Sequence, residues 1–369
     1  MRAGFMLLVC LGILACNRSP NLIKEDYPKH VQLARFQNPD GEISKLSSVA
    51  KSIRYIPLET TEDCLIGLAR SINPTSDGVL IAFKNAIYYF GNDGKYRSKI
   101  DHIGKGPGEY LRILPQYIHD IKNQEVVLPD NRQALLCFDY SGKLLRTLEC
   151  KSQDGMDFSS ILPDGNYFLG PLMLGNPMFK TFGADGKLIK KFFPGKIERQ
   201  ISGEDEGGLY FPRLWMSNHH EGVLASEFDT TWLVKDAQTA IPFMIIDPFL
   251  SEKDERVYVS PINYLNHNYI GFAGRKYGIY SLIDDKYYTI SGTEDRKLDD
   301  DIDNGLPLQL SHSSDGIIYS LMNAIDLLEP DNPNFHPKKN LAKIIDNLHE
   351  NDNPVLRIIT LRDEFVMQK

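Results

Sequence analysis

The sequence has few of the features that are typical of catalytic, metal-binding or nucleic-acid-binding sites. Only 5 of its 369 residues are cysteines and none of them form a Cys-x-x-Cys pair, so the sequence gives no support for a zinc or redox site. Basic residues are outnumbered, with 41 Lys and Arg against 49 Asp and Glu, whereas domains that bind nucleic acids carry a basic excess. No segment has the spacing of a phosphate-binding loop, a dinucleotide fingerprint or a nucleophilic serine elbow. We therefore predict no metal, no cofactor and no nucleic-acid partner, and we assign no catalytic residue.

Apolar runs long enough to span a membrane are missing too, because such a helix needs about 20 residues. The N-terminal run Phe5–Leu14 is shorter, follows Arg2 and ends in small residues, as in a secretory signal peptide. Residues 13–16, Ile-Leu-Ala-Cys, resemble a bacterial lipobox, in which the cysteine sulfur receives diacylglycerol before cleavage. The sequence thus predicts a lipoprotein signal peptide at residues 1–15 and acylation, palmitate included, at Cys16. An ordinary signal peptide that ends near a cysteine is the alternative.

The remaining chain is expected to be one tethered domain. Several acyl chains, at about 0.8 kcal/mol per buried CH₂, would anchor the protein to the lipid of the inner or outer membrane of the cell envelope after Sec-type export. Residues 16–27 are polar and predict a flexible tether, and residues 28–369 have the uniform composition of one domain. Three further cysteines remain after cleavage, an odd number that excludes a complete disulfide framework, so we expect buried single thiols.

A turn motif recurs at regular intervals and predicts the architecture. Phe90–Lys95, Phe138–Lys143 and Phe182–Lys187 share the pattern Phe-x-x-x-Gly-Lys, and their phenylalanines are 48 and 44 residues apart. Each motif separates two runs of β-forming residues, and its glycine supplies the positive φ of a tight hairpin. A further strand precedes each hairpin, and weaker copies continue to Ser314–Ser320. Six units of four short antiparallel strands predict an all-β fold, a six-bladed β-propeller.

The ring must close, since its first and last blades would otherwise expose unpaired strand edges. Ser52–Leu58 and Asn353–Leu361 both have strand character, so we expect strands from the two ends of the chain to share a blade. One helical insertion is predicted in the last repeat at Asn340–Glu350, where apolar residues recur at helical spacing. Its apolar face is expected to pack on the ring.

Three segments resemble a known family: Ile53–Thr61 (IRYIPLETT), Ile103–Tyr110 (IGKGPGEY) and Asp352–Leu356 (DNPVL). Through them the chain is similar to the six-bladed β-propeller lipoproteins of Gram-negative gut bacteria. The segments lie at the start of the body, at the end of the first blade and near the C-terminus, so the likeness covers nearly all of the mature chain. The resemblance implies a propeller fold and a location in the cell envelope. The family has no agreed activity, so no catalytic residues follow from it.

The glycine-rich segment is also the main candidate for contact with a ligand. Exposed backbone amides at Gly104, Gly106 and Gly108, together with the side chains of Glu109 and Tyr110, would suit a sugar or a peptide. A structural loop between two blades is the alternative.

Other clusters are interpreted as structural. The acidic run Glu294–Asp303 has carboxylates at alternate positions, but the residues that an EF-hand requires next are absent, so we expect a solvated loop. Aromatic residues that could form a platform for a sugar are expected instead to fill the space between sheets; they are Trp215, Trp232, Tyr264, Tyr269 and Tyr277.

These observations lead to a functional hypothesis: a membrane-anchored recognition module that binds a glycan, a peptide or another envelope protein. The alternative is a propeller enzyme of the glycoside hydrolase or lyase type, with carboxylates at one channel mouth, which rests on fold analogy. Acids that could face one rim are Glu109, Asp130, Glu227 and Asp229. A structural subunit of an envelope complex is a third possibility and predicts a large exposed apolar patch.

Overall fold

Short strands are the main secondary structure of the computed structural model. It describes residues 27–67, 69–113, 117–130, 134–150, 158–170, 179–192, 216–219, 221–227, 230–247, 258–274, 277–294, 296–310, 313–314, 316–332 and 335–366. Within these residues the strands form six sheets, the blades, and each blade contains four consecutively hydrogen-bonded antiparallel strands. The prediction of a six-bladed β-propeller is confirmed.

The strands are numbered in chain order. Three precede the first complete blade: β1 (Lys29–Gln32), β2 (Gly41–Ile43) and β3 (Ala50–Pro57). Blade 1 contains β4 (Ser71–Pro74), β5 (Gly78–Phe83), β6 (Ala86–Gly91) and β7 (Tyr96–Ile100). Blade 2 contains β8 (Ile118–Asp120), β9 (Glu125–Pro129), β10 (Ala134–Asp139) and β11 (Leu144–Glu149). Blade 3 contains β12 (Phe158–Ile161), β13 (Tyr167–Gly170), β14 (Phe179–Phe182) and β15 (Leu188–Phe192).

The second half of the ring repeats this order. Blade 4 contains β16 (Met216–His219), β17 (Gly222–Glu227), β18 (Thr230–Val234) and β19 (Ala240–Asp247). Blade 5 contains β20 (Tyr258–Asn266), β21 (Tyr269–Gly274), β22 (Gly278–Ser281) and β23 (Tyr287–Ile290). Blade 6 contains β24 (Ser313–Ser314), β25 (Ile317–Met322), β26 (Val355–Leu361) and β3. First strands of neighbouring blades contact one another, β8 with β12 and β20 with both β16 and β24, so these strands surround the central axis.

Each blade buries both of its faces, which explains the continuous apolar runs in the middle strands. In β5, Val79 and Ile81 pack against blade 6, whereas Leu80 and Ala82 pack against blade 2. All four are at most 2% exposed. Among the described residues, one such cluster joins every pair of neighbours, 1–2, 2–3, 3–4, 4–5, 5–6 and 6–1, so the ring is complete.

The recurring turn glycines have two functions. Gly94, Gly142 and Gly186 adopt φ values of +77°, +88° and +78°, which confirms the predicted hairpin. Each also lies against the outermost strand of the preceding blade: a Cβ on Gly94 would lie 2.1 Å from the carbonyl oxygen of Pro57, and one on Gly142 would lie 2.6 Å from that of Lys99. The motif therefore sets the turn and the close approach of neighbouring blades.

Closure of the ring is also confirmed. Strand β26 pairs antiparallel with β3, with Val355 opposite Pro57 and Leu361 opposite Ala50. A strand from the beginning of the body thus completes the blade that the end of the chain begins.

An N-terminal strap, residues 29–49, was not predicted. Its strand β1 adds in parallel to the outer edge of β19 in blade 4, and β2 adds in parallel to β23 in blade 5. Two 3₁₀ turns, Leu33–Gln37 and Leu46–Ser48, connect these strands to each other and to β3. The strap covers two strand edges that would otherwise be unpaired.

The acidic run 294–303 holds this strap, and the expectation of a solvated loop was wrong. Asp300 and Asp303 are buried, at 7% and 8% exposure. The carboxylate of Asp301 accepts the backbone N–H of Ser47 at 2.9 Å and its hydroxyl at 2.6 Å. The carboxylates therefore satisfy backbone and hydroxyl donors of the loop and of the strap.

The insertion in blade 6 contains two short helices where one was predicted: α1 (Ala324–Leu328) and α2 (Lys339–Ile345). Leu341 of α2 is fully buried and joins Leu327 of α1 and Val355 of β26 in one apolar cluster. The apolar face of α2 packs on the ring as predicted. Neither helix in the described part of the chain has the length and apolar character needed to cross a lipid bilayer.

Candidate functional site

The glycine-rich candidate loop joins blade 1 to blade 2, and its polar groups are engaged within the loop. The Glu109 carboxylate accepts the N–H of Gly106 at 2.7 Å and lies directly against Gly104, where a Cβ would come 1.8 Å from it. Gly108 has a φ of +78°. The glycines are needed for this tight path of the backbone.

Tyr110 is fully buried in the cluster between blades 1 and 2. Its hydroxyl donates to the carbonyl oxygens of Asn85 and Ile100, each at 3.1 Å. Tyr110 therefore fastens the loop to blade 1 and has no surface for a ligand. The exposed side chains of the segment are Ile103, Lys105 and Pro107.

A groove of about 290 Å³ opens between the same two blades, near the turn that joins β10 to β11; we call it the interblade groove. Its lining combines two aromatic rings with charged and hydroxyl groups: Asp77, Tyr89, Arg97, Ser98, Tyr140 and Ser141. Turns at the ends of strands supply Asp77, Tyr140 and Ser141, whereas β6 and β7 supply the others. The groove thus lies across the seam of two rigid sheets.

The two tyrosines of the groove are fixed by hydrogen bonds. Tyr89 donates to the Asp77 carboxylate at 2.6 Å, and the Tyr140 hydroxyl is paired with Nε2 of His119, also at 2.6 Å. The two tyrosine rings are 5.2 Å apart, within the range of favourable aromatic pairs. Each hydroxyl has a partner in its own blade, so both rings are held in place before a ligand arrives.

Ser98 explains why a groove exists at this seam. It stands eight residues after the phenylalanine of its turn motif, where blade 2 has Arg146 and blade 3 has Lys190. Arg146 reaches the Tyr167 hydroxyl of the next blade at 3.3 Å, and Lys190 reaches a carbonyl oxygen of blade 4 at 2.5 Å. Ser98 makes the same kind of bond, to the carbonyl oxygen of Tyr140, with a much shorter side chain. The space that a long basic side chain would occupy is left open.

The electrostatics of the groove are balanced. The hydrogen bond from Tyr89 is the main cause that lowers the pKa of Asp77, so this carboxylate is ionised at neutral pH. Arg97 contributes a positive charge and forms a half-exposed ion pair with Asp93 at 2.9 Å. Burial lowers the pKa of His119 to about 4, so the imidazole beside Tyr140 is neutral. The arrangement can bind a polar ligand that both donates and accepts hydrogen bonds.

Comparison with known proteins places the chain in a family. The family described as "Domain of unknown function (DUF4934)" matches residues 31–360. The chain belongs to this family. The comparison with curated proteins found no match.

The comparison with solved structures found one protein with the fold of the DUF4934 chain and a second, weaker match. A protein from Bacteroides fragilis NCTC 9343, described as exported, is 13% identical with a TM-score of 0.65; the match covers 91% of this chain and 100% of that one. A member of the DUF4221 family from Bacteroides vulgatus is 12% identical with a TM-score of 0.45, and the match covers 85% and 97%.

The segments on which the family resemblance rests join blades in the DUF4934 chain. Asn353 of the third segment is 2% exposed and binds backbone groups of the chain that follows the first segment, including the N–H of Ile66 at 2.8 Å. Glu59 of the first segment accepts the N–H of Tyr96 at 2.9 Å. These residues identify the propeller and hold its blades together; they do not line the interblade groove.

The other residues that the sequence analysis considered for ligand binding or catalysis do not come together in one site within the described part of the DUF4934 chain. Tyr264, Tyr269 and Tyr277 are buried between blades and form no platform. Asp130 accepts the N–H of Ala134 at 2.8 Å in its own loop. The side chains of Glu227 and Asp229 lie outside the described residues, as do Trp215 and Cys16. Cys64, Cys137 and Cys150 are buried free thiols, as expected.

No group of three His, Cys, Asp or Glu side chains in the described ranges is close enough to hold a metal ion. Sequence reasoning missed the interblade groove. Alignment of the repeats on their turn motif would have shown a serine where the next two units carry a long basic residue.

Proposed function

We propose that this DUF4934 protein is a membrane-anchored recognition module of the cell envelope and that it binds its ligand in the interblade groove. The observation that carries the proposal is the groove itself: an aromatic and charged recess of about 290 Å³ on a rigid scaffold. Small-ligand sites are typically concave, with apolar walls and a few convergent polar groups. Because the rings are already fixed, binding costs little ordering entropy.

The position of the groove in the ring suits a tethered protein. The strap joins the ring at blades 4 and 5, and in a ring of six these blades lie opposite blades 1 and 2. A lipid anchor at Cys16 would attach to the ring on the side of blades 4 and 5. The groove would then lie across the ring from the point of attachment. The exported protein of the same fold is in keeping with this location.

The binding role is tested by filling the groove. Ser98→Arg gives blade 1 the type of side chain that blade 2 has, so the variant is expected to fold and to lose at least tenfold in affinity. Ligands are first sought with glycan and peptide arrays on the full-length chain and then titrated against the variant by calorimetry. Thr147→Arg is the matched control, because it adds the same charge at an exposed position of β11 outside the groove. No binder at concentrations up to the millimolar range, or equal affinities for both variants, would contradict the proposal.

The anchor is tested separately by labelling cells with an alkyne analogue of palmitate. The wild-type chain is expected to incorporate the label and to fractionate with membranes, and Cys16→Ala is expected to do neither. Labelling that persists in Cys16→Ala would refute acylation at this residue.

A further inference from the structure

We infer that the interblade groove takes a single ring of a neutral sugar; this inference rests on the proposed function and names its ligand class. The groove holds about 290 Å³, just below the roughly 300–1,000 Å³ of typical ligand pockets. It therefore has room for one ring or one side chain. The choice between these ligands follows from the lining.

The floor of the groove is aromatic. The rings of Tyr89 and Tyr140 are only 9% and 8% exposed, and their planes meet at 53°. Their hydroxyls are engaged by Asp77 and His119, so the rings present their carbon atoms, not free hydroxyl protons, to the recess. A small apolar floor of this kind suits the C–H face of a pyranose, which is apolar while the ring edge is polar.

The rim supplies donors and acceptors together. Ser98 and Ser141 already donate their protons, to the Tyr140 carbonyl oxygen and to the Asp139 carboxylate, and keep oxygen lone pairs that can accept. Arg97 uses Nη2 on Asp93, and a guanidinium carries four further N–H groups. A sugar hydroxyl donates and accepts at the same atom, so a ring with several hydroxyls can use both kinds of group.

The charged groups of the lining distinguish a neutral sugar from a charged peptide side chain. The Asp77 carboxylate and the Arg97 guanidinium face the same recess, and Arg97 is already paired with Asp93 at 2.9 Å, so the recess offers no unpaired positive charge. A glutamate side chain would be repelled by Asp77 and would compete with Asp93 for Arg97, whereas a lysine side chain would be repelled by Arg97. A neutral polyol meets both without repulsion.

Saturation-transfer NMR on the full-length chain tests the inference. The neutral probes are glucose, galactose, mannose and N-acetylglucosamine. Glucuronate and glucosamine are the charged counterparts, and N-acetyl amides of Lys, Glu and Tyr represent peptides. At least one neutral sugar is expected to bind with a millimolar dissociation constant, as befits a ligand of about 12 non-hydrogen atoms. Its charged counterpart is expected to bind at least threefold more weakly.

Two variants keep the outcome interpretable. Ser98→Arg is expected to abolish the sugar signal, and Asp77→Asn, which replaces a charged acceptor by an isosteric amide, is expected to weaken it at least fivefold. One outcome separates the two proposals: an amino-acid amide binds, no sugar binds, and Ser98→Arg abolishes binding of the amide. This result would refute the sugar inference and support the binding role of the groove. If no probe binds, or if binding is indifferent to Ser98→Arg, the inference and the proposed site both fail.

Discussion

Replacement of Asn353 by alanine is expected to weaken the junction at which the ring closes. Its side-chain oxygen accepts the N–H of Ile66 at 2.8 Å, and its amide group donates to the carbonyl oxygens of Glu59 and Cys64, both at 2.7 Å. Its own N–H donates to the hydroxyl of Thr60 at 2.8 Å. One buried amide thus joins the start of β26 to the loop that leads from β3 into blade 1.

The magnitude follows from the groups left behind. Alanine would leave the N–H of Ile66 and the carbonyl oxygen of Cys64 without a partner at a site that is 2% exposed, whereas the carbonyl oxygen of Glu59 keeps a bond from the Cys64 thiol at 3.2 Å. Each buried unpaired group costs about 1–3 kcal/mol. Entry of water offsets part of this cost, so we expect a loss of about 3 kcal/mol in the free energy of unfolding. This is a large share of the roughly 5–15 kcal/mol by which domains are stable.

Urea unfolding of the full-length chain measures the loss. Asn353→Asp is a second variant: its carboxylate keeps the acceptor for Ile66 but faces two carbonyl oxygens, so it should be at least as damaging at pH 7. Protonation of this carboxyl at low pH restores one donor, and stability relative to wild type should then partly recover. Asn351→Ala is the control, because Asn351 is exposed and the change should stay within about 0.5 kcal/mol.

Alkylation of cysteines under native conditions shows whether the effect is local. Cys64 is fully buried beside Asn353, and its labelling should accelerate in Asn353→Ala. Cys137, which lies between blades 2 and 3, should be labelled at the wild-type rate. A loss of stability below about 1 kcal/mol, or equal acceleration at both thiols, would refute the assignment of Asn353 to ring closure.

Three further predictions follow from the packing. Gly142→Ala should lower the free energy of unfolding by about 2–4 kcal/mol, because its φ is +88° and its Cβ would lie 2.6 Å from a carbonyl oxygen of blade 1. Gly165→Ala is the control: its φ is +82°, but its Cβ would have no neighbour within 4 Å, so the loss should be only about 1–2 kcal/mol. Equal losses for the two variants in urea unfolding would contradict the packing role of Gly142. Burial lowers the pKa of His119 to about 4, whereas an unfolded histidine has a pKa of about 6.5. Between these two pH values the unfolded chain binds a proton that the folded chain does not. The free energy of unfolding should therefore fall by up to about 3 kcal/mol as the pH decreases from about 6.5 to about 4. The His119→Gln variant should lose correspondingly less stability between pH 7 and 4.5. The same pH dependence of stability in the variant and the wild type would refute this prediction. Asp301→Ala removes both bonds to Ser47, so hydrogen exchange in the strap should accelerate at least tenfold, and unchanged exchange would show that the carboxylate does not hold it.

Much of the propeller is predictable because each repeat is specified by residues that are close together in the sequence. The glycine of each turn motif must adopt a positive φ, and the strands on either side alternate between two buried faces. Both signals involve residues close together in the sequence. The same holds for α2, whose apolar spacing marks the face that packs on the ring.

The candidate site was predicted less well. The glycine-rich loop lies at the same seam as the interblade groove, between blades 1 and 2, but Tyr110 and the carboxylate of Glu109 hold the loop itself. Ser98 has no local feature that distinguishes it from any other polar residue of a strand. Its importance appears only when neighbouring blades are superimposed.

The amino-acid sequence by itself determined the number of blades, the position of the turns and the strands that close the ring, since these follow from periodicity and from the φ that each turn requires. Only the tertiary structure decided the path of the strap, the burial of the acidic run and the opening of the interblade groove. The bond between Ser47 and Asp301 joins residues 254 positions apart. Contacts of this kind depend on which edges and gaps the assembled ring leaves, and no short stretch of sequence contains that information.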